Sequence, residues 1–137
     1  MSNHHELISK IFRETKTVAV IGLSPDPNKP SYQVAAFLQS KGFKIIPIYP
    51  KEDFILGQKV YRNLEDIEER VDMVDVFRKA EFVPEVLKQI EKRGDVKALW
   101  LQLGIINDEA IDRARKLGLN AVQNRCTMIE YEKMENL

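Results

Sequence analysis

Short apolar runs alternate with stretches of helical periodicity along most of the chain. Continuous apolar runs are typical of parallel strands buried on both faces, and they predict five strands. Between them, apolar residues recur at the three- and four-residue spacing of helices that bury one face. The predicted strands span residues 17–21, 44–49, 72–77, 97–101 and 119–122, and the predicted helices span residues 6–15, 32–41, 84–93 and 108–117.

Three further segments carry weaker signals. Residues 59–61 predict a short extra strand, residues 64–69 a short helix, and a final helical turn follows Thr127 before an acidic tail that we expect to fray. Alternating strands and helices with right-handed crossovers predict an α/β fold, a Rossmann-like doubly wound sheet. We expect five mainly parallel strands with helices on both faces. Residues 1–15 should form an N-terminal helix and residues 16–137 a single domain.

Length, composition and charge narrow the class of protein. The 137 residues, 44% hydrophobic and 31% charged, are sufficient for one domain with a proper core. The 21 basic and 21 acidic residues cancel, so we expect no nucleic-acid or anionic-membrane partner. No apolar run approaches the ~20 residues that cross a membrane. A single cysteine makes no internal disulfide, which favours a reducing, cytoplasmic location.

Chemically reactive and charged residues follow the predicted strands, at the edge where parallel α/β sheets bind ligands. The helix-to-strand connections at the opposite edge carry little besides capping glycines. The sequence therefore predicts one functional edge. Its candidate residues, in chain order, are Gly22, Ser24, Lys29, Ser31, Lys51, Val76, Phe77, Arg78, Gln102, Gly104, Arg125 and Cys126.

The loop from Gly22 to Ser31 matches neither common phosphate motif. It lacks the later glycines of a dinucleotide fingerprint, and Lys29 is followed by Pro30 where a Walker A loop has serine or threonine. One interpretation is a rigid proline-rich connector with Asn28 or Ser31 capping the next helix. The other is a phosphate cradle, in which Lys29 and a helix N-terminus supply the charge and the N–H donors. Lys29 beside the helix start favours the cradle.

Two cations continue this pattern after the second and third strands. Lys51 stands where an NAD-binding unit has an acidic residue, and a cation there suits a phosphorylated ribose, as in NADP or coenzyme A; the alternative is a solvated lysine. Arg78 can bind phosphate with two nitrogens or pair with Glu81. Phe77 is either a core residue or, with Val76, a wall for an adenine.

Cys126 follows Arg125 at the same predicted edge. A lone cysteine is usually a small buried apolar residue. Here the neighbouring arginine and the start of a helical turn favour the thiolate, which suggests exchange with a thiol-bearing ligand. No histidine lies near it in the sequence, so a hydrolase nucleophile has little support.

Five segments together resemble the small single-domain CoA-binding proteins of bacteria and archaea, which are similar to the CoA-binding domain of the succinyl-CoA synthetase α subunit. The resemblance covers about residues 15–131 and departs from the family at Tyr49, where asparagine is common. The segments are Ala19-Val-Ile-Gly-Leu-Ser-Pro-Asp-Pro27, Ile46-Pro-Ile-Tyr-Pro-Lys51, Val74-Asp-Val-Phe-Arg78, Trp100-Leu-Gln-Leu-Gly104 and Asn124-Arg-Cys-Thr-Met-Ile-Glu130.

The resemblance implies roles for the candidate residues. The residues of the first loop, Gly22, Ser24, Lys29 and Ser31, would hold the CoA phosphates, and Lys51 would hold the 3′-phosphorylated end. The residues after the third and fourth strands, Val76, Phe77, Arg78, Gln102 and Gly104, would line the path of adenosine and pantetheine. Cys126, in the family's Arg-Cys segment with Arg125, would face the CoA thiol.

We therefore expect a protein that binds the small molecule CoA or an acyl-CoA and is not itself an enzyme. A homodimer is compatible with the sequence, through the region of Trp100 or the N-terminal helix. The alternative is an NADP-dependent oxidoreductase subunit or another dinucleotide-binding protein. Against it, Ser24 and Pro25 crowd the position where a dinucleotide loop has its second glycine. His4 and His5, near the N-terminus, are expected to be solvated, so no metal site is predicted.

Overall fold

Five α-helices and seven strands lie along residues 3–136, the part of the chain that the structure, a computed structural model, describes. Two short 3-10 turns span Leu64–Asp66 and Ala80–Phe82. The helices are α1 Asn3–Glu14, α2 Pro30–Ser40, α3 Val83–Arg93, α4 Asp108–Lys116 and α5 Thr127–Glu135. The strands are β1 Thr17–Ile21, β2 Lys44–Ile48, β3 Phe54–Ile55, β4 Gln58–Lys59, β5 Met73–Val76, β6 Ala98–Leu101 and β7 Asn120–Val122.

Five of the strands form one parallel sheet in the order β2-β1-β5-β6-β7. Their runs of apolar residues suit a sheet covered on both faces, because every second side chain points to the opposite face. In this sheet, β2 lies on one side of β1, and the chain then crosses over so that β5 lies on the other side of β1. The carboxyl ends of β1 and β5 are therefore the switch point of the sheet. The predicted α/β fold with five parallel strands is confirmed.

Two layers of helices cover the sheet and divide the core. On one face, α3 and α4 pack on a cluster that includes Val76, Leu99 and Leu101. On the other, α1, α2 and α5 pack on a cluster that includes Trp100 and Cys126. Trp100 is fully buried, and its Nε1 donates a hydrogen bond to the Arg125 carbonyl at 2.8 Å.

Helix α1 belongs to the second layer. Its apolar stripe of Ile8, Ile11 and Phe12 is buried, and the Phe12 ring lies 5.5 Å from the ring of Trp100 and 5.1 Å from that of Tyr131. The helix therefore shares the core of the unit that we predicted to begin at residue 16. That boundary and the homodimer stay predictions, and residues 1, 2 and 137 lie outside the described residues.

The structure corrects the weaker predictions. The predicted strand at residues 59–61 is instead a hairpin, in which β4 pairs with β3 in antiparallel fashion, followed by a parallel bridge between Tyr61 and Ile48. The predicted helix at residues 64–69 is only the 3-10 turn Leu64–Asp66. The chain end that we expected to fray continues as α5 as far as Glu135, because Tyr131 packs on Phe12 and Phe43.

Candidate functional site

A cleft of about 540 Å³, hereafter the main cleft, opens at the switch point of the sheet. Gly22 follows β1, Phe77 follows β5, Gln102 follows β6, and Cys126 precedes α5, so four connections converge on it. Seven of the residues predicted from the sequence line this cleft: Gly22, Ser24, Lys29, Ser31, Phe77, Gln102 and Cys126. The remaining lining is mainly apolar, from Pro30, Val34, Leu103 and Ile105.

One wall of the main cleft is the loop between β1 and α2. The Ser24 N–H donates to Ser31 Oγ at 3.0 Å, and the Asp26 N–H donates to Ser24 Oγ at 3.0 Å, so side chains hold the loop in place. The N-cap of α2 is Lys29, whose side chain makes no capping bond. Neither Asn28 nor Ser31 caps this helix, as the alternative interpretation of the loop had it. Instead, the Ser31 hydroxyl ties the helix start to the loop.

The start of α2 leaves N–H donors available to an anion. Pro30, the first helical residue, has no N–H, and the Gln33 N–H already bonds to the Lys29 carbonyl. The amides of Ser31 and Tyr32 are therefore the donors left over at the first turn, at the positive end of the helix dipole. Lys29, which also lines the main cleft, adds a cationic residue beside them, and donors of this kind at a helix start are suited to an anion.

Gln102, which lines the main cleft, belongs to a buried polar cluster whose other members, Asp75 and Thr127, the sequence analysis missed. Asp75, on β5, is fully buried and accepts a hydrogen bond from Gln102 Nε2 at 2.6 Å. Gln102 Nε2 also donates to Thr127 Oγ1 at 2.9 Å, and Thr127 Oγ1 donates to Asp75 Oδ2 at 3.3 Å. Burial raises the pKa of Asp75 to about 7. A carboxylate within an apolar strand is the sequence signal that could have revealed this cluster.

A second cleft, of about 270 Å³, lies on the other side of Gly22. It is lined by Gly22, Tyr49, Arg62 and Arg78 together with Ile21, Ile48 and Pro50. Arg62 was missed in the sequence analysis. It reaches this edge because Tyr61 pairs in parallel with Ile48, which places the residue after it near the carboxyl end of β2.

Arg62 also anchors the loop that follows β2. Its Nη1 donates to the carbonyl oxygens of Tyr49, Lys51 and Glu52 at 3.1, 3.2 and 3.0 Å. Glu52 has a φ of +72°, a left-handed conformation that side-chain-bearing residues rarely adopt. The Arg62 guanidinium group thus binds three carbonyl oxygens of a tightly turned loop, and one of these bonds holds the backbone of Lys51 in place.

Gly22 lines both clefts. A Cβ at this position would lie 3.0 Å from the Phe77 carbonyl oxygen and 3.3 Å from Arg78 Cγ. Its φ of +84° also favours glycine. Arg78 lies over the Phe82 ring, its guanidinium carbon 4.1 Å from the ring centroid, and is not among the ion pairs found in residues 3–136. It does not pair with Glu81, the alternative partner that the sequence offered.

Four of the predicted site residues lie outside both clefts. Lys51 is exposed beside the second cleft without lining it. Val76 is fully buried against α3, because its position on β5 points to the opposite face from Asp75. Gly104 donates its N–H to Asn124 Oδ1 at 2.8 Å, and Arg125 pairs with Glu130 at 3.5 Å. Their roles at the ligand stay predictions from the sequence.

Comparison with known proteins identifies the family. Residues 16–132 match the sequence model of a protein family described as CoA binding domain. The chain belongs to this CoA-binding domain family. The matched segment includes β1 to β7 and most of α5, so it covers both clefts.

Relatives within the CoA-binding domain family fall into two size classes. The chain is 32% identical over 124 residues to an uncharacterized protein of Bacillus subtilis, YneT, covering 90% of this chain and 91% of that protein. It is 40% identical over 91 residues to acetate–CoA ligase [ADP-forming] II of Archaeoglobus fulgidus, covering 65% of this chain. The chain spans 14% of the length of that ligase.

Solved structures with the same fold include small proteins of similar length. A hypothetical protein from Pyrococcus horikoshii superposes with a TM-score of 0.90 at 34% identity, covering 96% of this chain and 92% of that chain. A protein from Thermus thermophilus gives a TM-score of 0.88 at 27% identity, covering 95% and 98%. These likenesses agree with the CoA-binding, Rossmann-like fold of the family.

The described residues, 3–136, include neither a membrane-spanning helix nor a metal-binding cluster. They contain no helix that is both long and apolar enough to span a membrane. Within the same range, no group of three or more histidine, cysteine, aspartate or glutamate side chains is arranged to hold a metal ion.

Proposed function

We propose that this protein binds coenzyme A, or an acyl-CoA, along the carboxyl edge of the sheet, and that it acts as a ligand-binding protein without catalytic activity of its own. The observation that carries the proposal is the pair of clefts that meet at Gly22, one largely apolar with a thiol, the other with two arginines. CoA has the matching polarity, since it joins a thiol-ended pantetheine arm to a phosphorylated adenosine through a diphosphate.

The diphosphate would lie beside Gly22, where the two clefts meet. The amides of Ser31 and Tyr32 and the Lys29 ammonium group supply donors and positive charge at the start of α2. The absence of a side chain at Gly22 lets the ligand approach the backbone closely, as the glycines of a dinucleotide loop do. This assigns the first loop to the diphosphate.

The two ends of the ligand would occupy different clefts. The pantetheine arm would run through the main cleft along Phe77 and Leu103 and end near Cys126. The phosphorylated ribose would lie in the second cleft, where Arg62 and Arg78 provide planar groups suited to phosphate oxygens and Lys51 adds charge from the rim. Tyr49 lines that cleft and is available to pack against the ribose or the adenine.

Calorimetric titration with CoA, dephospho-CoA and NADPH tests this proposal. We expect micromolar or tighter binding of CoA, with removal of the 3′-phosphate costing about 1–3 kcal/mol, as for a hydrogen bond to a charged group. Binding of NADPH without binding of CoA would favour the alternative of an NADP-dependent oxidoreductase subunit. Equal affinity for CoA and dephospho-CoA would contradict the assignment of the arginines.

Cys126 would exchange with disulfides of the ligand. Its thiolate attacks oxidised CoA, one new disulfide joins Cys126 to CoA, and the second CoA leaves as a thiolate that takes up a proton from water. The residue is 7% exposed and lines the main cleft at the start of α5. Incubation with CoA disulfide should add one CoA to the intact mass, and Cys126→Ser should show no adduct. An unmodified wild-type protein would return Cys126 to the role of a core residue.

A further inference from the structure

Asp75 is a carboxyl group in an otherwise apolar strand, on the face of the sheet that packs against α5. Its register neighbours are Val20 on β1 and Trp100 on β6, both fully buried. Desolvation is the largest cause that raises the pKa of Asp75, and the hydrogen bonds from Gln102 and Thr127 oppose it without cancelling it. An apolar side chain would fill this position without that cost, so packing alone does not account for the carboxyl group.

The side-chain amide hydrogens of Gln102 and the hydroxyl hydrogen of Thr127 are all engaged in hydrogen bonds around Asp75. The Gln102 amide nitrogen carries two, one directed to Asp75 Oδ1 and the other to Thr127 Oγ1. The Thr127 hydroxyl hydrogen is directed to Asp75 Oδ2. This closed arrangement turns the nitrogen of the Gln102 side chain inward. Gln102 also lines the main cleft, and its carbonyl oxygen, Oε1, is the side-chain polar atom that neither Asp75 nor Thr127 engages.

The orientation of the Gln102 amide follows the charge of Asp75. An ionised carboxylate only accepts hydrogen bonds, so turning the amide over would set Oε1 against another acceptor in a buried site. A protonated carboxyl group has a hydrogen to donate, and it can satisfy Oε1 in the turned-over amide. The main cleft then meets the amide nitrogen, a donor, in place of the carbonyl oxygen.

We propose that Asp75 is a positioning residue that, when ionised, holds the Gln102 carbonyl oxygen toward the main cleft as the acceptor for an amide N–H of the pantetheine arm. The proposal rests on the proposed function, and it adds a proton-dependent control of the same site. Because the pKa of Asp75 lies at about 7, the acceptor is present above neutrality and is lost as the pH falls. The affinity for the ligand therefore rises with pH, and binding releases a proton near neutrality.

The surroundings of Asp75 contain few other groups that titrate. The strands on either side, β1 and β6, carry no titratable side chain. Of the helices on that face, α5 begins with Thr127 after the Cys126 thiol and carries Glu130, paired with Arg125; α2 carries Tyr32, and α1 carries His4. Within residues 3–136, no ionic partner is among the causes that shift the pKa of Asp75.

Titration with dephospho-CoA at pH 5.5, 6.5 and 7.5 tests the proposal. This probe lacks the phosphate monoester of CoA, whose own second pKa near 6 would confuse the profile. We expect the wild-type affinity to be about fivefold weaker at pH 5.5 than at pH 7.5, the value of one hydrogen bond. The affinity of Asp75→Asn should not change over this range, because nothing then titrates beside Gln102.

Two variants serve as controls. Asp72→Asn removes a carboxylate just before the same strand, where it accepts from the backbone N–H groups of Lys16 and Thr17 far from the cleft. His4→Gln removes the α1 histidine whose pKa burial lowers from its ordinary value. Both should keep the wild-type profile. The same pH dependence in Asp75→Asn, or a flat profile in the wild type, would overturn the proposal; failure of the wild type to bind CoA at pH 7.5 would instead overturn the proposed function.

A measurement on the wild type covers the case in which Asp75→Asn does not fold. In the ligand-free protein labelled with ¹⁵N, the side-chain amide signals of Gln102, assigned by their loss in Gln102→Met, should shift with a midpoint near pH 7. Signals that stay fixed between pH 5.5 and 8 would overturn the proposal independently of any ligand.

Discussion

Gly22 is the residue on which both clefts depend. Its backbone is left-handed, and a Cβ added there would lie only 3.0 Å from the Phe77 carbonyl oxygen, so a side chain has no room. Gly22→Ala should therefore lower the free energy of unfolding by more than the ~1–2 kcal/mol of left-handed backbone strain alone, and it should weaken CoA binding. Urea unfolding and calorimetry measure the two effects.

Gly94→Ala is the matched control for that substitution. Gly94 has nearly the same φ, +81°, but a Cβ there would meet nothing within 4 Å. In this control, the free energy of unfolding should fall only by the cost of backbone strain. The variant should bind CoA as the wild type does. Equal losses of stability and affinity in the two variants would contradict the role assigned to Gly22.

Individual residues also show where sequence reasoning succeeds and fails. Gly22, Ser31 and Cys126 were identified because they follow strands, and the carboxyl ends of parallel strands meet at one edge. Val76 was misplaced, because one position along a strand decides which face a side chain points to. Asp75 was overlooked, since a single polar residue in an apolar run reveals its partners only after Gln102 and Thr127 are brought beside it.

At the scale of elements, the connection between β2 and β5 departs most from the prediction. Its β3–β4 hairpin and the Tyr61 bridge depend on contacts with the edge strand β2, and local periodicity does not encode them. The five strands of the main sheet and α2, α3 and α4 were predictable because each buries a regular apolar pattern. Helix α5 extended beyond its prediction, because aromatic packing around Tyr131 stabilises a helix whose own apolar pattern is weak.

That connection carries a test of the second cleft. Arg62→Gln removes both the three carbonyl bonds that hold the loop and one cation facing the second cleft. The loss of the loop bonds affects both ligands, but only CoA carries the 3′-phosphate. We therefore expect the affinity for CoA to fall by about 1–3 kcal/mol more than the affinity for dephospho-CoA.

The control for Arg62→Gln is Arg113→Gln, on α4. Arg113 forms an exposed ion pair with Glu91 at 3.3 Å, a type of contact that contributes little to stability. Calorimetry should find the wild-type preference for CoA in this variant. A similar loss of dephospho-CoA affinity in Arg62→Gln would show that the arginine does not discriminate the phosphate.

At the scale of the whole molecule, the sheet topology links sequence to site. The parallel order β2-β1-β5-β6-β7 brings the carboxyl ends of all five strands to one edge, where α2, α3, α4 and α5 begin. Sequences similar to this chain occur in the small B. subtilis protein, over 91% of its length, and in the much longer A. fulgidus ligase, over 14% of its length. The chain itself therefore supplies the edge at which we propose that CoA binds.

The most direct test of this account is the crystal structure of the protein with CoA bound. It should show the diphosphate beside Gly22 and the first turn of α2, the thiol end in the main cleft by Cys126, and the 3′-phosphate within hydrogen-bonding distance of Arg62 or Arg78. CoA bound elsewhere, for example in the groove between α3 and α4 lined by Leu87 and Arg113, or with its adenosine in the main cleft, would contradict the account.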